Sequence, residues 1–183
     1  MQVESTETLY EGWGRFLIAT LRDAAGTALR REVEDHGDAV AVLPYDTERG
    51  TVLLVRQTRT PMLVRGEPDR FYEALAGRVE PGEPVEETAR REAMEECGVR
   101  LTTLEPLGGF YAMPAVSTER ITLFLAPYRA ADRVAAGGGL AEEGEDIDVV
   151  EVPLDDLWAR GFAALADMKT ALLVLALREK LRR

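Results

Sequence analysis

The chain has 183 residues, 46% of them hydrophobic, which suits one globular domain and is too apolar for a disordered segment. Against 22 Lys and Arg stand 33 Asp and Glu, a net charge of −11, so nothing here would neutralise a run of nucleic-acid phosphates. Cys97 is the only cysteine and His36 the only histidine, which excludes an internal disulfide, a His/Cys zinc site and most nucleophile–histidine catalysis.

Taken in chain order, Met1 to Tyr10 is polar and acidic, with no basic stretch leading into an apolar run, so no export signal is expected. Arg15–Arg22 and Ala28–Asp35 read as strands around Asp23-Ala24-Ala25-Gly26, and Ala39–Tyr45 and Thr51–Gln57 as two more around Asp46–Gly50. Pro84 suits the start of a helix, Glu86 and Glu87 its positive end, and Gly98 its stop. Ile121–Tyr128 and Ile147–Val152 read as strands, with Ala135–Gly139 as a mobile loop between them. Pro153–Leu165 and Met168–Leu181 read as closing helices, and Ala171–Leu177, the longest apolar run, is too short to span a bilayer. Strands mixed with a few helices, without regular alternation, predict an α+β (mixed α/β) fold. A cytoplasmic protein with no membrane or nucleic-acid partner is expected by elimination.

Residues 73–98 hold eight acids against three bases. On the predicted helix Glu92, Glu95 and Glu96 lie three and four residues apart and project from one turn, while Val85, Ala89 and Ala93 form an adjoining apolar stripe. Two carboxylates about 6 Å apart repel by roughly 2–3 kcal/mol at an effective dielectric near 20. A hard divalent cation reverses that sign, and magnesium favours a few carboxylates together with phosphate oxygens and water. Taken alone, such a helix is also what a solvated surface presents.

The flanks make the difference. Gly77, five residues, Glu83, seven residues, then Arg91-Glu92-Ala93-Met94-Glu95-Glu96-Cys97-Gly98-Val99 resembles the signature of the Nudix hydrolases. The resemblance implies an α/β/α sandwich that hydrolyses a nucleoside diphosphate linked to a further group, with Mg2+ as cofactor and Mn2+ as its substitute. It implies Glu92, Glu95 and Glu96 as metal-binding carboxylates, Glu83 as an auxiliary acid, Arg91 as the orienting arginine, the Ala76 carbonyl as a further ligand, and Gly77 as the point of close approach to loop and substrate.

Outside the signature, Glu73-Ala74-Leu75-Ala76-Gly77 is similar to the E-x-P-A-G entry of the ADP-ribose and nucleotide-sugar group, with Leu75 replacing proline. Pro114-Ala115-Val116-Ser117-Thr118-Glu119 is similar to that group's P-G-x-x-x-E, with alanine for glycine. Within Val55-Arg56-Gln57-Thr58-Arg59, the resemblance assigns Arg59 to a substrate phosphate and leaves Arg56 to structural pairing. Gly137-Gly138-Gly139 followed by Glu145 is most similar to the GDP-mannose hydrolase branch. Glu145 would complete the metal site or act as general base, and Glu119 competes for the second role. The same branch implies an N-terminal antiparallel β extension, residues 1–38, packed on a second subunit of a homodimer with shared active sites, beside a catalytic domain of 39–183. Trp13, Arg30, Arg31 and Glu32 then become candidate base or sugar contacts, although Trp13 equally suits a dimer core and the arginines an exposed strand. The expected substrate is a nucleotide sugar of the GDP-mannose or ADP-ribose class. The alternatives are a triphosphate or housecleaning pyrophosphatase, and a non-catalytic sensor.

Overall fold

The computed structural model describes residues 1–161 and 165–182, with Glu143 described by its backbone alone. The predicted helix over Pro153–Leu165 lies partly outside the described residues. Two compact units are formed, one by Met1–Ala39 with Gly109–Ile121, the other by Val40–Gly108 with Thr122–Arg183.

In the first unit β1 (Gln2–Glu11), β2 (Arg15–Arg22) and β3 (Ala28–Asp35) form an antiparallel sheet in that order. The β2–β3 hairpin follows the predicted turn: the Asp23 carboxylate accepts the Ala25 and Thr27 N–H groups at 2.9 and 2.8 Å, and Gly26 supplies a φ of 86°. β1 is not legible in composition. It is exposed along its whole length, so pairing with β2 rather than burial makes it a strand. The 109–121 segment joins this unit through the Glu34 and Thr118 backbones, with Thr118 donating to Asp35 at 2.7 Å.

The second unit is built on a sheet of β4 (Asp38–Asp46), β5 (Thr51–Arg56), β6 (Leu75–Arg78), β7 (Glu105–Tyr111), β8 (Arg120–Pro127) and β9 (Asp148–Pro153). Its order is β7-β8-β4-β5-β9, with β6 also pairing β4, and β5 runs antiparallel to β9. The helices are α1 (Thr60–Arg65), α2 (Val85–Cys97), α3 (Leu154–Arg160) and α4 (Met168–Leu181). β4 is central, and every residue from Ala39 to Asp46 is buried, with Ala39–Leu43 the unbroken apolar run expected of a strand covered on both faces. One face, carrying Val40, Val42, Leu53, Val55 and Phe124, joins Ala89, Ala93 and Cys97 of α2 in a single core. The alternate residues Ala41, Leu43, Leu54 and Leu125 are buried as well, and α4 contributes buried Leu173, Val174 and Leu177.

Three elements escape the sequence pattern, each for a local reason. β6 is four residues long, α1 is six residues opening on a proline, and β7 carries Pro106, Gly108 and Gly109, a composition that reads as loop. No described helix is long and apolar enough to cross a membrane.

Candidate active site

The helix α2 starts after Pro84, carries Glu86 and Glu87 in its first turn, and closes at Gly98, whose φ of 63° lets its own N–H reach the Met94 carbonyl and the Val99 N–H reach the Ala93 carbonyl. Its buried residues are Thr88, Ala89, Glu92, Ala93, Glu96 and Cys97, the helical stripe that an ordinary core helix fills with apolar side chains. Two of these positions are glutamates. Glu96 is 1% exposed, and its carboxylate accepts the Ala76 N–H at 3.2 Å. Glu92 lies against β6 at Gly77, where any Cβ would overlap its carboxylate, so only glycine permits that approach.

Arg91 is the counter-cation of this acidic face. It donates to both oxygens of Glu83 at 3.2 Å, to Glu92 at 2.8 Å, to Glu95 at 3.0 Å and to the Arg78 carbonyl at 3.1 Å. One guanidinium thus serves three acids, and none of the described contacts joins Glu96 to a cation. Hydrogen bonding to Arg91, helped by Thr88, holds the Glu83 carboxyl below the usual carboxylate range. Burial pushes Glu92 up to about 7 against the pull of Arg91, with Glu95 and Glu145 adding to the rise. Glu96 is driven well above the carboxylate range by burial and then by the Glu92 charge. Among the described residues no three acids stand in ready-made metal geometry. The donor set nevertheless fits a hard divalent cation: oxygen ligands, adjacent on one helix face, buried, and carrying more negative charge than the protein balances.

The glycine run forms a loop, as its composition predicts, and its backbone is bonded to the end of α2. The Gly138 and Gly139 N–H groups donate to the Glu96 and Glu95 carbonyls at 2.9 and 3.1 Å, and Val134 and Ala135 both donate to the Gly98 carbonyl. A Cβ at Gly137 would run into the Glu96 carbonyl and the Cys97 backbone. Glycines are therefore required for this segment to tie off the carboxyl end of α2, leaving orphan carbonyls satisfied. The same segment leads to Glu145, whose carboxylate accepts the Leu140 N–H at 2.9 Å and acts electrostatically on Glu92 and Glu96. Arg70 bonds Asp146, beside Glu145, and Asp148 at 3.0 Å, while Arg56 pairs with Asp148 at 3.5 Å.

Next to Ala76 lies a second charged cluster that sequence reasoning only half found. Arg59 donates side-on to Glu73 through Nε and Nη2, both at 2.8 Å. Lys169 donates to Glu73 at 3.1 Å and to Asp167 at 2.9 Å. Burial works against the Arg59 charge, and the Glu73 bond more than offsets it. Lys169, Asp167 and Thr170 carry no family-like motif. The one local signal is Asp167 three residues before Thr170, the spacing of a helix N-cap, and Asp167 accepts the Thr170 N–H at 3.1 Å.

Other candidates stand on the first unit. Trp13 is 68% exposed, with its ring tilted at 5.1 Å from His36. Arg30 pairs with Glu7 at 3.3 Å, Arg31 donates to the Arg30 carbonyl, and Glu32 is exposed. Glu119 is half-buried, its N–H donating to the Ser117 hydroxyl.

The NUDIX domain family matches residues 35–172. The chain belongs to the NUDIX family. It is 39% identical over 157 residues to a GDP-mannose pyrophosphatase of Cronobacter sakazakii, covering 85% of this chain and 81% of that one. It is 35% identical over 156 residues to an ADP-ribose pyrophosphatase of Escherichia coli K12, covering 81% and 73%. The fold of this NUDIX protein also matches the crystal structure of an ADP compounds hydrolase, with a TM-score of 0.74, 20% identity, and coverage of 99% and 94%.

Proposed function

We propose that this NUDIX hydrolase splits the pyrophosphate of a nucleoside diphosphate sugar, of the GDP-mannose or ADP-ribose class, into a nucleoside monophosphate and a sugar phosphate. The observation that carries the reading is the buried Glu92–Glu96 pair beside Gly77, where Arg91 reaches Glu92 and one backbone N–H reaches Glu96. The relatives named above act on substrates of that class.

Glu92, Glu95 and Glu96, with the Ala76 carbonyl and Glu83, would hold a divalent cation, magnesium or manganese in its place. Such a cation neutralises phosphate charge and lowers the pKa of water. The protein's own contributions are separable. Arg91 divides one positive charge among Glu83, Glu92 and Glu95 and so sets the spacing of the acids. Arg59 turns one guanidinium edge to Glu73 and keeps the other for a phosphate oxygen. Glu145 accepts the proton of the attacking water, and Glu119 is the alternative base.

The extension over residues 1–38 is proposed to pair two chains in a homodimer, with Trp13, Arg30, Arg31 and Glu32 reaching base or sugar. The exposure of Leu9, Tyr10 and Trp13 on its sheet supports this role. Sedimentation should therefore give twice the 20.2 kDa chain mass, and a monomer at working concentration overturns the shared site. A cytoplasmic setting accords with a single cysteine that is buried and free.

A product assay with GDP-mannose, ADP-ribose, UDP-glucose, NADH and nucleoside triphosphates tests the reaction. One nucleotide sugar should be cleaved to monophosphate and sugar phosphate far faster than the rest. Cleavage of triphosphates alone, or of nothing with either cation, overturns the proposal.

A further inference from the structure

We propose that Lys169 is a positioning residue whose charge keeps Arg59 available to a substrate phosphate, an inference that rests on the pyrophosphatase function above. Glu73 is a buried carboxylate, its side chain 3% exposed, and it takes Arg59 side-on through two bonds of 2.8 Å. With Asp167 beside them, a single arginine would face two carboxylates, and the cluster would carry a net negative charge that repels a phosphate. Lys169 changes that balance. Its ammonium, 15% exposed, bonds the second Glu73 oxygen at 3.1 Å and Asp167 at 2.9 Å. Two acids and two bases then close to neutrality. The two bonds to Glu73 use Nε and Nη2, which leaves the outer Nη1 edge of Arg59 for a second anion, and its side chain remains 37% exposed.

The placement of Lys169 is locally unfavourable. It occupies the first turn of α4, where the helix dipole disfavours a cation and where capping calls for acids. Position is enforced by neighbours. Asp167 caps the helix by accepting the Thr170 N–H, and the Thr170 hydroxyl receives the Ala74 N–H at 2.7 Å, in the residue following Glu73. A side chain held against a local rule, in a cluster with every charge answered, marks a role outside helix stability. Removing the Lys169 charge leaves a net negative cluster within electrostatic reach of Glu96, which already senses Arg59. That penalty falls on the bound substrate and on the transition state alike, so it raises KM and spares kcat.

The experiment begins by measuring the wild-type chain on its best nucleotide sugar, and its affinity for the nucleoside monophosphate product by calorimetry. Lys169→Met should raise KM about tenfold, leave kcat within about twofold, and weaken monophosphate binding in proportion. Lys169→Arg, which keeps the charge, should restore both. The double variant Asp167→Asn with Lys169→Met loses both contacts yet regains neutrality, so its KM should return toward wild type. A merely structural lysine would make the double variant worse than either single change. A fall in kcat with KM unchanged, failure of arginine to rescue, or a double variant worse than Lys169→Met overturns the proposal. If Lys169→Met does not fold, Asp167→Asn alone decides: a lower KM supports the charge balance, and an unchanged or higher KM overturns it. Should the wild type cleave none of the substrates, the function fails separately. Monophosphate binding then still judges Lys169, since equal affinity in wild type and Lys169→Met removes its role.

Discussion

Two groups of carboxylates in the second unit are treated in opposite ways. Glu151 on β9 receives the Thr51 hydroxyl at 2.7 Å, Arg49 at 2.6 Å and the Tyr128 hydroxyl at 3.3 Å. Although burial opposes it, those donors hold its carboxyl below the usual range. Glu105 is likewise matched by Tyr45 at 3.0 Å and Lys180 at 2.9 Å. On α2, Glu96 is more deeply buried and receives one backbone N–H at 3.2 Å, while Glu92 shares Arg91 with Glu83 and Glu95. The fold supplies several donors each to Glu151 and Glu105, and far fewer to the buried Glu92 and Glu96. An under-satisfied buried acid is costly, so its persistence on a core-facing stripe signals function more sharply than acidity alone.

The largest test of this contrast is Glu96→Gln. Turnover should fall about a thousandfold or more, while the melting temperature without added cation stays at or above wild type, because glutamine keeps the shape and cannot ionise in the buried position. A rate near wild type would break the comparison at its strongest point. Glu145→Gln and Glu119→Gln come next. The true base should lose about a hundred- to ten-thousandfold in kcat with cation affinity unchanged by titration, and the other should keep its rate.

The pH dependence of stability sharpens the contrast further. Glu92 in the folded chain titrates at about 7, above its ordinary 4.5, so between these values the folded state binds more protons than the unfolded one. The protonated carboxyl therefore contributes stability below about 4.5 that is lost as pH rises through about 7. A loss of about 3 kcal/mol follows at roughly 1.4 kcal/mol per pKa unit. Thermal melts of cation-free protein should fall over that range, and added magnesium should raise the melting temperature more at pH 8 than at pH 5.5. A cation shift independent of pH would count against Glu92 as a ligand. Glu151→Gln should cost about 1–2 kcal/mol of stability through weakened bonds and leave kcat intact. The smallest effect is expected at the exposed Arg22–Glu4 pair, where Glu4→Gln should change stability by less than about 0.5 kcal/mol in denaturant titration.

Much of this was legible in the chain. The hairpins at Asp23–Gly26 and Asp46–Gly50 announce themselves because their turn residues are chemically distinctive, and α2 because proline, acids and glycine mark its ends. The spacing of Arg91, Glu92, Glu95 and Glu96 points to one helix face because a helix converts sequence offset directly into angular position, and the family resemblance adds Gly77 and Glu83. β1 stayed hidden because it owes its form to a neighbour rather than to its own pattern, and the partners of the glycine run were not legible because they are carbonyls of α2.

Sequence alone determined the family, the acidic helix and the excess of carboxylate, since each depends on residue identity at short range. Tertiary structure decided which acids are buried, that Arg91 serves three of them, that the glycines bind the end of α2, and that Lys169 meets Glu73 from 96 residues away. Burial, charge compensation and long-range pairing are properties of neighbours in space, and a linear pattern does not contain them.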